Sequence, residues 1–227
     1  MCKVVQMKWS IIIPSYLVTP KLVALETQCV ESLRKTTKDE YEIIIVESGD
    51  FEIDDDINTH IMFLGKQTPF AKAVNIGVRR SEGEYIVVCN NDTVHPYNWQ
   101  QLILNTFDSG PDCVVASIMS TEWNQPVQND ITEGYFGGFW CIKRKDWERV
   151  GELDERFIMS FEDADYWLRV RELGGKVLMN RFGQITHHAR QSVDLDTDKH
   201  MEQYYKNKEL FNQKWKFSQD EWFERLR

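Results

Sequence analysis

Short apolar runs that stop on polar residues alternate along this chain with stretches of helical periodicity. The run 86–89 ends abruptly on Asn90, Asn91 and Asp92. Four consecutive apolar residues cannot alternate between core and solvent, so this run predicts a strand buried on both faces of a sheet. Similar runs at 11–13 and 43–46 predict two more buried strands. We therefore expect the fold to be built around a buried sheet.

Helical periodicity fills the intervals between these runs. Apolar residues three and four positions apart predict helices over 21–36, from Thr68 to about residue 81, and over 96–107. Strand, helix and strand of these lengths form a right-handed unit with parallel strands. With further strands at 60–64 and 113–117, the first ~120 residues predict an α/β fold with a doubly wound, mostly parallel central sheet flanked by helices.

The second half of the chain has a different pattern. Residues 121–132 are polar without periodicity and predict a loop, and the aromatic, glycine-rich segment 133–142 leads into a strand. The other predicted elements are helices over 145–150, 161–171 and 198–217 and strands at 176–179 and 185–188.

Composition and charge narrow the classes of function. The 227 residues, 42% of them hydrophobic, suffice for one large α/β domain or two small ones. The net charge of −9 argues against bare nucleic acid as the main partner. No apolar run approaches the ~20 residues of a membrane span, and the first residues lack the apolar region of a signal peptide, so we expect a cytoplasmic protein.

The cysteines give no local signal for a disulfide framework or a zinc knuckle. They are odd in number, scattered, and free of any C-x-x-C spacing. We expect most of them to be buried as small hydrophobic residues. They are Cys2, Cys29, Cys89, Cys113 and Cys141.

Three polar clusters, at 47–50, 90–92 and 162–165, follow predicted strands or begin a helix. Ligands of an open α/β sheet bind at the carboxyl ends of its strands. An acid fixed there can hold a divalent cation, which can in turn hold a diphosphate. Taken alone, however, each cluster is explained at least as well by turn or helix-capping chemistry.

In their order and spacing these motifs resemble the inverting, family-2 nucleotide-sugar glycosyltransferases with the GT-A fold. The likeness runs from residues 10–16 (SIIIPSY) through 90–92 (NND) and 161–166 (FEDADY) to the histidine pair 187–188. It implies a single GT-A domain over 1–227. Its expected parts are a nucleotide-binding half (1–120), an acceptor and catalytic half (121–197) and a C-terminal helical segment (198–227).

The resemblance implies a donor site that holds a nucleotide sugar, with a UDP-sugar as the default. The loop after the first strand and the acid after the second would hold base and ribose, and this chain has glutamate where the family usually has aspartate. Lys72 and Asn75 lie one helical turn apart and would meet the nucleotide sugar from below, although Lys72 is equally well explained as a surface residue. The implied donor-binding residues are Pro14, Ser15, Tyr16, Glu47, Lys72, Asn75, Asn90 and Asn91.

The resemblance also implies a divalent cation, Mn²⁺ or Mg²⁺. Asp92 holds the metal-binding position of the Asn-Asn-Asp motif, and a late histidine supplies a further ligand. We prefer His187 to His188 because its distance from Ser192 fits the family pattern, and a neutral imidazole suits manganese better than magnesium. The cation would neutralise the departing nucleoside diphosphate.

On the acceptor side, Asp163 matches the family's general base, which takes the proton of the attacking hydroxyl and so gives inversion in one displacement. The neighbouring acids would lie near the acceptor, the glycines would leave room for a sugar, and Trp140 or Trp123 would offer a stacking surface. The implied acceptor-binding residues are Glu162, Asp165, Gly137, Gly138 and Trp140.

The sequence therefore predicts an inverting, metal-assisted glycosyltransferase that acts on a glycan or other hydroxyl acceptor. One alternative is a non-catalytic scaffold that binds a nucleotide sugar. Another is a nucleotidyltransferase on a related fold, although the glycine-rich phosphate loop typical of such enzymes is missing after Ile13.

Overall fold

The computed structural model describes residues 8–51, 58–134, 136–189, 197–216 and 221. Cys2, Ser192 and the side chain of Trp123 lie outside this description. In chain order the elements are β1 (Trp9–Ser15), α1 (Pro20–Thr36), β2 (Tyr41–Glu47), β3 (Thr59–Phe63), α2 (Phe70–Arg80), β4 (Tyr85–Cys89), β5 (Thr93–Val94), α3 (Trp99–Asp108), β6 (Cys113–Ser120), a 3-10 turn (Thr121–Trp123), β7 (Ile131–Glu133), β8 (Phe139–Lys143), α4 (Arg144–Val150), α5 (Glu162–Glu172), β9 (Lys176–His187) and α6 (Thr197–Trp215).

The amino-terminal half forms the parallel sheet that the apolar runs predict. Its strand order is β3-β2-β1-β4, and all neighbours in it are parallel. Ile12 of β1 pairs with Ile44 of β2 on one side and with Val88 of β4 on the other. The carboxyl ends of these strands therefore meet at one edge of the sheet, where the polar clusters follow them.

The carboxyl-terminal half adds antiparallel strands to this mostly parallel sheet. β8 inserts between β4 and β6 and is antiparallel to both, so β6 does not neighbour β4. The two strands predicted at 176–179 and 185–188 are one strand, β9, parallel to β6 across a register shift between Ile118 and Met119. Its polar centre is tolerated because the Asn180 amide donates to Leu102 O and Thr106 Oγ1 of α3.

Helices cover both faces of this sheet. Alternate residues of β1 point to opposite sides: Ile11 and Ile13 pack with α1 and α3, whereas Ile12 packs with α2, α4 and α5. A smaller cluster attaches α6, with Phe211 against Phe157 and others. Every helix among the described residues is too short or too polar to cross a membrane.

Candidate active site

A cleft of about 740 Å³ opens at the carboxyl edge of β1 and β4. The loop after β1 and the loop after β4 form one wall, and the start of α2, the end of β9 and α6 complete it. Seven of the residues predicted for donor and metal lie together in its lining: Pro14, Ser15, Tyr16, Asn90, Asn91, Asp92 and His187.

Glu26 of α1, a buried glutamate, holds two of these loops together. It was not among the residues predicted from the sequence. Its Oε2 accepts a short hydrogen bond from Ser15 Oγ and a bond of 3.0 Å from Asn91 Nδ2. Glu26 is fully buried, and this burial raises the pKa of its carboxyl to about 7. The loop after β1 and the Asn-Asn-Asp loop are thus fixed relative to each other before any ligand arrives.

Glu47, expected to face the ribose, is fully buried at the end of β2. Its Oε1 accepts hydrogen bonds from the backbone N–H groups of Leu17, at 3.0 Å, and of Gly49. Gly49 cannot be replaced without distortion, since an added Cβ would lie 2.3 Å from Leu17 O. Glu47 does not line the cleft among the described residues; it braces the backbone of the loop that does, while its Oε2 has no protein partner there.

Asp92 and His187 converge at the floor of the cleft. The imidazole Nε2 lies 3.1 Å from Asp92 Oδ1, and Nδ1 lies 2.8 Å from Glu122 Oε2. Burial lowers the pKa of His187, but the hydrogen bonds and charges of Asp92 and Glu122 outweigh it and leave the pKa above its ordinary value. The side chain of His188 is exposed instead, and its backbone N–H donates to Asp92 O.

This group has the chemistry of a cation site. Two carboxylates flank one imidazole, so the site carries excess negative charge. With an ion bound, Nδ1–H would still donate to Glu122, and Nε2 would give up its proton and face the ion beside Asp92, the arrangement in which outer carboxylates orient metal-binding histidines. One carboxylate oxygen and one imidazole nitrogen are donor atoms that suit Mn²⁺.

Asp163 lies at the first turn of α5, against the glycine pair that precedes β8. Its Oδ1 accepts a 2.7 Å hydrogen bond from Ala164 N. A Cβ on Gly137 would lie 2.7 Å from Asp163 Oδ2, so a side chain at this position would displace the Asp163 carboxylate. Gly138 O accepts from Asn90 N at 2.8 Å, so the glycine pair links the turn of Asp163 directly to the Asn-Asn-Asp loop.

The two acids at this turn are half-buried and have raised pKa values. Burial raises the pKa of Glu162, and the adjacent charge of Asp163 raises it further. Burial likewise raises the pKa of Asp163, opposed by the backbone N–H groups that its carboxylate accepts from. Asp163, Glu162 and the glycine pair are not in the lining of the cleft as described; the glycine pair is joined to that lining by the bond from Asn90 N to Gly138 O.

Comparison with known proteins identifies the family. The model of glycosyl transferase family 2 matches residues 10–173. The chain belongs to this family. No curated protein sequence is a significant match to it.

Solved glycosyltransferase structures share the fold at low sequence identity. GalNAc-T7 with UDP, GalNAc and Mn²⁺ aligns with a TM-score of 0.64 and 12% identity, over 80% of this chain and 44% of its own. The mannosyltransferase PcManGT from Pyrobaculum calidifontis, with GDP-Man and Mn²⁺, aligns with a TM-score of 0.63 and 14% identity, over 82% of this chain and 58% of its own. TarS 1–349 from S. aureus with UDP-GlcNAc aligns with a TM-score of 0.62 and 16% identity, over 82% of this chain and 59% of its own. This family-2 chain has the GT-A fold and spans about half the length of these structures.

Three residues expected near the ligands serve the fold instead. Asp165 is fully buried; its carboxylate binds Arg169 at 3.0 Å, Lys214 at 2.6 Å and Trp215 Nε1 at 3.0 Å, which fastens the end of α6 to α5. The prediction that it meets the acceptor is therefore wrong. Its position on the inner side of α5 decides its partners.

Trp140 and Asn75 are the other two. Trp140 is 1% exposed and packs against Trp167 and other rings of the core, so it offers no stacking surface. Asn75 is fully buried, and its amide exchanges hydrogen bonds of 3.0 Å with the backbone of Leu153. Lys72, one turn earlier on α2, is exposed and outside the described lining of the cleft.

Three residues of α6 line the cleft, although nothing in the sequence predicted them as site residues. Lys199, His200 and Gln203 complete its lining opposite the loop after β1. They lie in a polar stretch whose periodicity indicated only an amphipathic helix. The side of α6 that meets the cleft is decided by the packing of Phe211 and by the bonds of Asp165, both of which are long-range.

Proposed function

We propose that this chain transfers a sugar from a nucleoside diphosphate donor to a hydroxyl acceptor, with inversion at the anomeric carbon. The observation that carries the proposal is the convergence of Asp92 and His187 at the floor of a cleft whose wall is the loop after β1. Family membership and neighbours that hold UDP, GDP-Man or UDP-GlcNAc support a nucleotide sugar as donor. A UDP-sugar is our first choice.

In this proposal Asp92 and His187 hold a divalent cation, Mn²⁺ before Mg²⁺. Their donor atoms, their outer partner Glu122 and the negative charge of the group fit such an ion, and two of the similar structures carry Mn²⁺. A cation bound there would neutralise the nucleoside diphosphate as it leaves.

Residues at the carboxyl ends of the strands would bind and orient the donor. Ser15 and Asn91, both bonded to Glu26, hold the nucleotide together with Tyr16 and Asn90, and buried Glu47 braces the backbone of the loop after β1. These contacts orient the anomeric carbon toward Gly137 and Gly138.

Asp163 is the general base of the proposed reaction. The acceptor oxygen bonds to the anomeric carbon, the bond from that carbon to the diphosphate oxygen breaks, and the acceptor's proton passes to Asp163. The raised pKa of this carboxyl makes it a stronger base than an exposed aspartate. Glu162, whose pKa is also raised, lies beside it as a neutral neighbour that does not repel its charge.

The first test is a binding panel. UDP, GDP, CDP and TDP sugars are each added with and without Mn²⁺, and binding is followed by thermal shift and calorimetry. We expect a Mn²⁺-dependent response to one nucleotide, lost in Asp92→Ala and retained in Asp163→Asn. Absence of a response to every donor would refute the proposal.

The rival functions predict different results with the same protein. A scaffold would bind a donor in the panel, yet show neither transfer nor slow hydrolysis of it by the wild type. A nucleotidyltransferase would release pyrophosphate from a nucleoside triphosphate and a sugar phosphate. Either result would overturn the assignment as a glycosyltransferase.

A further inference from the structure

Two cysteines and a histidine meet in the core directly beneath the Asn-Asn-Asp loop. Cys29 comes from the middle of α1, Cys89 is the last residue of β4, and His95 follows β5. The Sγ atoms of the cysteines lie 3.9 Å apart, and Cys89 Sγ lies 3.5 Å from His95 Nε2. All three residues are buried, with one ligand atom of each within 4.8 Å of the others.

Two of these separations match the edges of a tetrahedral thiolate–imidazole site, and the third, between Cys29 Sγ and the imidazole of His95, lies within 4.8 Å. Bonds of about 2.3 Å from zinc to sulfur and about 2.0 Å to nitrogen give a sulfur–sulfur edge of about 3.8 Å and a sulfur–nitrogen edge of about 3.5 Å. Thr93 Oγ1 occupies a fourth corner, 3.2 Å from Cys89 Sγ, 3.6 Å from Cys29 Sγ and 3.2 Å from His95 Nε2. An ion at the centre would require the Cys29–His95 edge to close to about 3.5 Å.

Hydrogen bonds around the cluster point lone pairs toward its centre. Ser32 Oγ donates to Cys29 O at 2.8 Å, so it accepts from His95 Nδ1–H, also at 2.8 Å, and Nε2 keeps its lone pair. Thr93 Oγ1 donates to Asn90 O at 2.8 Å, so its lone pairs also face the sulfurs. A histidine held through its other ring nitrogen is the usual arrangement of a metal ligand.

We propose that Cys29, Cys89 and His95, with the hydroxyl of Thr93, form a structural site for a thiophilic metal ion, Zn²⁺ foremost. Soft thiolate and imidazole ligands select such ions over Mn²⁺ and Mg²⁺. On binding, each thiol releases its proton to solvent, and two thiolates balance the charge of Zn²⁺, so the buried site carries no net charge.

The site would act on the donor loop from behind. Cys89 and His95 lie on either side of residues 90–94, and Cys29 ties both to α1, the helix that also carries Glu26. A bound ion would fasten the two ends of the loop that holds Asp92 while remaining separate from the cleft. The proposal does not depend on the proposed function.

The test uses the reduced full chain, stripped with a chelator and titrated with Zn²⁺ alone in competition with a chromophoric chelator. We expect one tightly bound equivalent, a raised melting temperature, and with Co²⁺ the intense bands of a thiolate-ligated tetrahedral ion. Cys29→Ser and Cys89→Ser should weaken binding at least ~100-fold. The matched controls are Cys113→Ser and Cys141→Ser, two other buried cysteines, which should bind as the wild type does.

Asp92→Ala separates this site from the catalytic one, because it should keep the Zn²⁺ affinity and the Co²⁺ spectrum while losing donor binding. The wild-type spectrum also decides the matter if the cysteine variants fail to fold. Absence of binding by the wild type, equal binding by Cys29→Ser, or a Cys29–Cys89 disulfide formed in air by a protein that takes up no Zn²⁺ would overturn the proposal.

Discussion

The donor side of the cleft and its acceptor side use their predicted residues differently. On the donor side, residues 14–16, residues 90–92 and His187 all line one cleft. On the acceptor side, residues 162–165, Asp163 lies against Gly137, whereas the carboxylate of Asp165 is bonded to Lys214 of α6. Polar residues after parallel strands share one edge of the sheet, whereas successive residues of a helix turn by about 100° each, so Asp163 and Asp165 face nearly opposite ways.

The substitution with the largest expected effect, Asp163→Asn, should impair the acceptor side and leave the donor side intact. Asp163→Asn removes the proposed base while keeping its shape and its bond from Ala164 N. We expect the rate of transfer to fall by roughly 10²–10⁴-fold, because general base catalysis contributes about that much. The measurement is single-turnover transfer at saturating donor and Mn²⁺, with the donor Kd unchanged by calorimetry.

Near-normal transfer by Asp163→Asn would show that another group takes the acceptor's proton. Glu162→Gln is the adjacent comparison. It mimics the protonated glutamate that the raised pKa predicts at neutral pH. We expect it to keep most of the activity, so a loss as severe as that of Asp163→Asn would exchange the roles of the two acids.

The next effect concerns stability and tests the correction for Asp165. Asp165→Asn removes the charge that Arg169 and Lys214 share in the interior. Because losing one member of a buried ion pair costs about 3 kcal/mol or more, the free energy of unfolding should fall by about that amount. Urea unfolding measures it, and the folded variant should retain donor binding; unchanged stability with lost transfer would restore Asp165 to the acceptor site.

The same contrast explains what the sequence could predict. The runs at 11–13, 43–46 and 86–89 give the parallel strands because local pattern and burial agree there. β8 could not be placed, since its position between β4 and β6 depends on long-range pairing. The importance of Glu26 could have been predicted. It lies four residues after Leu22 and four before Val30, on the buried face of α1, where a carboxylate requires hydrogen-bond partners.

The smallest effect tests that buried glutamate through the pH dependence of stability. The pKa of Glu26 rises from 4.5 to about 7 on folding, so between these values the unfolded chain has lost a proton that the folded chain keeps. The free energy of unfolding should therefore fall as pH rises from 4.5 to 7 and then level off. At about 1.4 kcal/mol per pKa unit, the total fall is roughly 3 kcal/mol.

Glu26→Gln has no such proton and can still accept from Ser15 and Asn91, so it should lack this part of the slope. Chemical unfolding of both proteins at closely spaced pH values measures the difference. Glu31→Gln, on the exposed face of the same helix, is the matched control and should keep the wild-type slope. Parallel curves for wild type and Glu26→Gln would mean that Glu26 is ionised in the folded protein. The link between the two loops would then be a charged one.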